Sequence, residues 1–451
     1  MVQQQNKFGH WLKTSITARM LIVGALVLVL LIPLTYVNVL ISERSHRQRD
    51  VITEINTKWG SEVLLYGPIL KLPYTTYTET QVYIEKSKSY KTEREAVQNY
   101  VYIFPEELNV TSNVKSKTQH LGNFETAVFT SDLKLNGSFA LPDLEKKGIT
   151  SASIDWEKAT FILKTTNLKG IKTEMEIAVG ENSLPFETKF SNHQNRAYRM
   201  DELETSFMDS EVLKEPFNFN MNMTYDGSEK LQIVPVGKTT TLSMTSNWAD
   251  PGFIGGYAPN DETKSITPEG FSADWKVLSI NRPFSQTYTN NIPNLDEYAF
   301  GTKFVVLVDD YQKSERSAKY GFLVIGLTFL VFFLIQTLSK ISIHPFQYLM
   351  IGLALIMFYT LLVSISEHSS FLKAYLIAGV SVVTLITLYS KSILKSFRFT
   401  AFIGLSLTVL YSFVYVIIQL ENYALLVGSV GLFLILASVM YVSRKIDWNN
   451  H

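Results

Sequence analysis

The sequence predicts a membrane α-helical bundle of six transmembrane helices plus a large antiparallel β-rich domain inserted between helices 1 and 2. Three observations predict it. Hydrophobic residues make up 46% of the 451-residue chain and gather in six blocks, each close to the roughly 20 apolar residues that cross a hydrocarbon core. Between the first and second blocks the hydrophobic period falls from helical spacing to alternation, the mark of half-buried strands. Lys and Arg flank the blocks on one side of the implied membrane.

The spans are Met20–Ile41, Tyr320–Leu338, Phe346–Ile365, Lys373–Ser390, Phe399–Gln419 and Tyr423–Val442. Lys7, Lys13 and Arg19 precede the first, Lys340 follows the second, Lys391, Lys395 and Arg398 follow the fourth, and Arg444 and Lys445 follow the sixth. Basic residues beside a span stay cytoplasmic, so residues 1–19 and 443–451 are expected inside, residues 42–318 are exported, and residues 319–442 form a five-helix bundle. The first span is expected to stay as an uncleaved anchor. Its apolar run of about 22 residues exceeds a signal-peptide core, and SERSHRQRD offers no small-x-small cleavage pattern.

The net charge of zero hides an asymmetry. Eleven of the 41 basic residues but only three of the 41 acidic residues lie outside 42–318, which leaves that segment 30 basic and 38 acidic residues, a balance of −8. A mildly acidic surface argues against nucleic acid, which takes a basic stripe. With no cysteine, the exported domain must be stabilised by core burial instead of disulfides.

In the inserted domain Phe217, Phe219, Met221 and Met223 alternate with Asn218, Asn220 and Asn222, a half-buried strand. Asp226-Gly227 suits a tight hairpin turn, predicting return through Leu231, Ile233 and Val236. Further strands are expected at Tyr100–Phe104, Ala127–Phe139, Ala159–Leu168 and Lys303–Val308, packed as a sandwich. ERSHRQRDVITEINTKWG continues the first span with Val51, Ile52 and Ile55 at helical spacing until Gly60, and DDYQKSERSAKYG re-enters the second as helix.

SNWADPGFIGGYAPNDE, residues 246–262, is a loop of different character, with Trp248, Phe253 and Tyr257 among Pro and Gly. Either its aromatics fold back onto the sheet, or it binds a partner, with Asn247 and Trp248 as the residues to watch.

Catalytic motifs fail. Gly237-Lys238-Thr239 ends like a phosphate-binding loop, but position 232 is Gln where that loop needs Gly, and a strand follows. No HExxH, GxSxG or paired cysteine pattern occurs, and seven His without Cys is a thin ligand supply. No metal or cofactor is expected.

The third span is bracketed by His344 and by Glu367-His368. At about 1.5 Å per residue the two histidines stand roughly 36 Å apart and cannot share a site. His344 precedes Pro345 at a helix start, which suits capping. Glu367 and His368 lie at the outer end, where Glu421 is expected at the same depth. They either reach the headgroups or form a carboxylate cluster that receives a cationic partner from above or acts as a proton relay with His368. Gln336, Tyr359, Ser364, Ser406, Tyr411 and Gln419 are expected to hydrogen-bond between helices, and Ala424 with Gly428 to admit close packing.

Together LLIPL (30–34) with ERSHRQRDVITEI, YGPILKLP (66–73), TSNW-x-x-P-x-F-x-G (Thr245–Gly255), SAKYGFLVIGLTF, HPFQYLMIGLALIMFYTLLVSISEH and RKIDW resemble the CreD family of inner-membrane proteins. The resemblance runs from about residue 11 to residue 448. It implies a bacterial inner-membrane location with residues 42–318 periplasmic, and a role in cell-envelope integrity and envelope stress, including β-lactam response. It implies no catalytic residues, ligand or cofactor. His344, Pro345, Tyr348, Tyr359, Glu367 and His368 match the family's pattern, as do Asn247, Trp248 and Gly255.

The expected function is a non-enzymatic envelope-integrity factor in the lipid bilayer, whose periplasmic domain contacts an envelope component or a periplasmic or inner-membrane protein. The alternative is a transporter or lipid-handling protein with an outer entrance near Glu367 and His368. A membrane-embedded enzyme would need ionisable groups converging from several spans.

Overall fold

The computed structural model describes residues 16–84, 89–122, 124–189, 200–304, 310–339, 341–420 and 423–444. The chain forms two compact units, one of residues 51–307 and one of residues 1–50 with 308–451.

Among the described residues, six helices are long and apolar enough to cross a membrane. Helix α1 (Ile16–Trp59) is 44 residues long and carries Pro33 inside. Gly60 ends it by donating from its N–H to the Asn56 carbonyl at 2.8 Å. A short polar helix α2 (Asp310–Lys319) precedes α3 (Gly321–Ser339) and α4 (Pro345–Ser366). They are followed by α5 (Phe371–Leu394), α6 (Phe397–Gln419) and α7 (Ala424–Ser443). Large residues such as Leu30, Phe329, Phe332, Leu355, Phe358 and Val414 fill the interior. Gly352 lets α1 and α4 meet, since a Cβ there would fall 2.1 Å from a Leu30 methyl. No residue of α7 is buried.

The β-rich unit has sixteen strands among its described residues. They begin with β1 (Val63–Ile84), β2 (Ser89–Ile103), β3 (Glu107–Leu121), β4 (Phe124–Phe139), β5 (Thr160–Thr165), β6 (Glu176–Val179), β7 (Asn182–Lys189) and β8 (Asp201–Thr205). After these come β9 (Phe217–Ser228), β10 (Lys230–Ile233), β11 (Thr239–Ser246), β12 (Pro251–Gly255), β13 (Ser265–Thr267), β14 (Gly270–Leu278), β15 (Thr287–Thr289) and β16 (Phe300–Phe304). One sheet runs β12-β16-β10-β1-β5-β8-β7, and the other β6-β9-β4-β3-β11-β14-β13. Strand β7 belongs to both, since Asn182–Pro185 pair with β6 and Phe186–Lys189 with β8.

The two faces pack as layers through aromatic side chains. Phe129 on β4 meets Phe304 on β16 at 4.9 Å between ring centres, Phe139 meets Phe161 at 5.5 Å, and Trp275 meets Phe300 at 6.0 Å. Burying each such ring contributes about 1.5–3 kcal/mol, which is how a cysteine-free domain is held. Beyond this core, β1 and β2 continue as an exposed two-stranded ribbon carrying Tyr77, Tyr83 and Tyr90.

Strand β9 alternates as expected, with Phe219, Met221 and Met223 buried and Asn218, Asn220 and Asn222 exposed. The hairpin turn at Asp226-Gly227 is not formed. Both residues continue β9, pairing with Thr130 and Phe129 of β4, and the chain bends at Glu229, with φ 60°, to enter β10 of the other sheet. Gly227 is needed for space instead, because a Cβ would lie 2.5 Å from the Phe129 ring and 2.6 Å from Val63. Strand β10 therefore pairs antiparallel with β16 and parallel with β1, and β11 pairs parallel with β3. The other ladders are antiparallel. The expected strand Lys303–Val308 is described only to Phe304.

Candidate functional site

At one end of the helical unit Glu367 occupies the C-cap of α4, its N–H bonded to the Val363 carbonyl at 3.2 Å. Its Oε1 lies 3.5 Å from Arg44 Nε on α1 and accepts from the Tyr311 hydroxyl on α2 at 3.4 Å. Arg316, also on α2, donates to the Leu420 carbonyl at the end of α6 at 3.1 Å. The carboxylate is thus engaged by a cation of its own chain and joins three helices. His368, next in the chain, is exposed. Glu421 lies outside the described residues.

His344 caps the opposite end of α4. Its Nδ1 accepts from the Phe346 N–H at 3.2 Å, and Gln347 Oε1 accepts from the His344 N–H at 2.9 Å, a reciprocal box that satisfies two free backbone donors. Between the ends, Tyr348 donates to Gln336 Oε1 at 2.8 Å, linking α4 to α3, and Tyr375 donates to the Tyr411 carbonyl, also at 2.8 Å. Gln419 bonds Tyr415 one turn back in its own helix, not a neighbouring one. Tyr359 is fully buried against Phe358, and its hydroxyl and that of Tyr411 meet no protein partner among the described residues.

The 246–262 segment folds back onto the sheets. Pro251–Gly255 form edge strand β12 beside β16, Phe253 packs on Trp275 at 5.6 Å, and Tyr257 packs on Phe300 at 5.6 Å. Asn247 stands in for a strand residue, accepting from the Ser116 N–H at 2.7 Å and donating to the Ser116 carbonyl at 3.0 Å, so its amide prolongs the β11–β3 ladder. Trp248 sets its ring edge-on to Phe304 at 6.4 Å.

Two polar features escape motif reading. Lys71 on β1 and Lys189 on β7 donate to opposite oxygens of Glu204 on β8, at 2.6 and 2.5 Å, and Thr160 on β5 donates to Glu204 at 2.8 Å. Lys71 also sits over the Tyr100 ring at 4.6 Å. Burial pushes the Glu204 pKa up, but the bonds from Lys189, Lys71 and Thr160 more than reverse this and hold it below the usual range. Burial dominates at Lys71 and lowers its pKa despite Glu204. The signal was a lone charge in apolar YGPILKLP. A second buried cation, Arg282, is held by the Val236, Gly237 and Phe284 carbonyls and by Gln286.

The second feature is a groove of about 790 Å³ on the outward face of β11, β3, β4 and β9. Register aligns Thr245, Asn113, Asp132 and Thr224 in one row across it, and Thr111, Lys134 and Asn222 in the next. Thr173 and Glu174 close one side, the Thr173 hydroxyl accepting from the Thr224 N–H at 3.1 Å. Amides, hydroxyls and both signs of charge face one trough, suited to a polar ligand.

Comparison with known proteins agrees with the membrane-length helices. The Escherichia coli (strain K12) inner membrane protein CreD is 28% identical over 439 residues, covering 97% of this chain and 94% of that protein. Among solved structures, a putative nutrient binding protein from Legionella pneumophila subsp. pneumophila str. Philadelphia 1 aligns over 51% of this chain and 77% of its own, at 10% identity and a TM-score of 0.23. An M1 zinc metallopeptidase from Deinococcus radiodurans aligns over 39% and 38%, at 7% identity and a TM-score of 0.16. Likenesses that slight carry no argument. The family described as inner membrane protein CreD matches residues 15–449, and with six membrane-length helices among the described residues and a β-rich unit inserted in the chain between the first and second of them, the chain belongs to the CreD family of multi-pass inner-membrane proteins.

Proposed function

We propose that the protein is an envelope-integrity factor whose β-rich unit lies in the periplasm and binds a polar envelope component, without a catalytic step of its own. The groove of about 790 Å³ across β11, β3, β4 and β9 is the observation that carries this reading. Its two rows of polar side chains are solvent-facing, and a binding role explains why this sheet face has a walled trough. Orientation is supported by charge: Arg19, Lys391, Lys395, Arg398 and Arg444 stand at one end of the spans, the end that basic residues keep cytoplasmic.

The test is complementation of an envelope-stress phenotype in a deletion strain by wild type, Lys134→Glu and Asn222→Trp, with membrane abundance measured alongside. Both side chains are exposed, so the variants should accumulate. Failure of both to complement supports the groove, and full complementation by both removes it. Because the chain has no cysteine, single cysteines at Ser183 and Ser392 report sidedness. An impermeant maleimide should label the first and not the second in intact spheroplasts.

A second reading, a transporter or lipid-handling protein with an entrance at Glu367 and His368, draws on the buried hydroxyls of Tyr359 and Tyr411. It requires Glu367 to leave Arg44 and Tyr311, so Glu367→Gln should abolish complementation at normal abundance.

A further inference from the structure

We propose that the helical unit binds one anionic phospholipid in an apolar groove between α3, α6 and α7, with the lipid phosphate paired to Arg398. The groove holds about 850 Å³. Leu334 and Leu338 form one wall, Phe402 and Ser406 the second, Leu434 and Val439 the third, and Arg398 stands at one end.

The groove arises from how α7 meets α6. A Cβ at Gly428 would stand 3.8 Å from Ile417 and one at Gly431 only 2.1 Å from the Phe413 ring, so the helices touch closely at Gly431. Towards Arg398 the cleft is lined by larger residues of all three helices. From Arg398 to Phe413 is fifteen positions of α6, about 22 Å at helical rise. One leaflet of the hydrocarbon core is about 15 Å deep, so an acyl chain entering beside Arg398 is accommodated along its length.

Charge selects the occupant. Arg19, Lys391, Lys395, Arg398 and Arg444 lie at the groove's charged end of the spans. The carboxylates of Glu43, Asp50, Glu315 and Glu367 all fall at the other. The Arg444 guanidinium is parked over Tyr441 at 4.0 Å, whereas Arg398 is exposed at the groove mouth. An apolar slot long enough for an acyl chain and ending in basic side chains matches a phosphate head on acyl tails. This inference is independent of the periplasmic groove.

The test uses full-length protein in nonionic detergent, titrated with phosphatidylglycerol or phosphatidylcholine and read by native mass spectrometry. One phosphatidylglycerol per chain should bind in preference to phosphatidylcholine. Arg398→Gln should reduce that preference about fivefold, the weight of one basic side chain at a lipid surface, and Arg398→Lys should keep it. Leu434→Trp and Ser406→Trp, filling the slot from opposite walls, should expel both lipids. The proposal is overturned if wild type shows no preference, if Arg398→Gln retains it, if both tryptophan variants keep their lipid, if inorganic phosphate displaces the lipid, or if the groove is covered by a second copy in a lipid-free dimer.

Discussion

Replacing Glu204 by Ala removes the one carboxylate between two lysines and strands Lys71, which is 6% exposed, without a counter-charge. Lys189 is half exposed and regains water at little cost. Breaking a buried pair from one side costs about 3–5 kcal/mol, and Lys71 can relieve part of this by shedding its proton, so about 3 kcal/mol is expected. The β-rich unit spans residues 51–307, a size at which each kcal/mol moves Tm by about 2–4 °C. Glu204→Ala should therefore lower the melting temperature of that unit by about 6–12 °C, followed by near-ultraviolet circular dichroism on the full-length protein. Lys71→Met added to Glu204→Leu removes both charges and should recover most of the loss. A shift under about 2 °C for Glu204→Ala, or a double variant no better than the single one, would refute the electrostatic account.

Because the Glu204 pKa is lowered in the folded state, its contribution is present above the unfolded carboxylate pKa and is lost as pH falls through the folded value, so Glu204→Gln should flatten the acid limb of stability against pH. Gly227→Ala should destabilise by about 1–3 kcal/mol, since the new methyl meets Phe129 and Val63; thermal melts report it, and a neutral result would mean the layers can part there. Asn247→Ala leaves the Ser116 N–H and carbonyl unpaired and should cost about 1–3 kcal/mol in the same melts, whereas Trp248→Phe should be milder.

The layout of the helices was legible because apolar blocks of span length mean one thing in water and another in lipid. The alternation Phe219, Met221, Met223 likewise declared which face of β9 is buried. What stayed hidden depends on neighbours remote in sequence. Asp226-Gly227 has the composition of a turn, yet Phe129 and Val63, about 100 and 160 residues away, claim the space a side chain would occupy and leave glycine as the residue that fits. Parallel pairing of β11 with β3 has no local signature at all. Glu367 announced itself as a carboxylate near a helix end, but its partner Arg44 sits in another helix more than 300 residues earlier. The aromatics of 246–262 could not declare themselves binding or core residues until the edge beside β16 was known. The polar trough was half legible in Asn218, Asn220 and Asn222; only register places Asn222 beside Lys134.

Strand β7 gives its first half to one sheet and its second half to the other. Because one continuous strand is paired into both layers, peeling either one away pulls on the backbone that holds the other, so local opening confined to one sheet is suppressed. Amide protons in the centres of β4 and β5, far apart in the chain, should then exchange with solvent at a common rate set by global unfolding. Exchange at one rate would mark the unit as a single cooperative block, which suits a domain that has no cysteine to brace it.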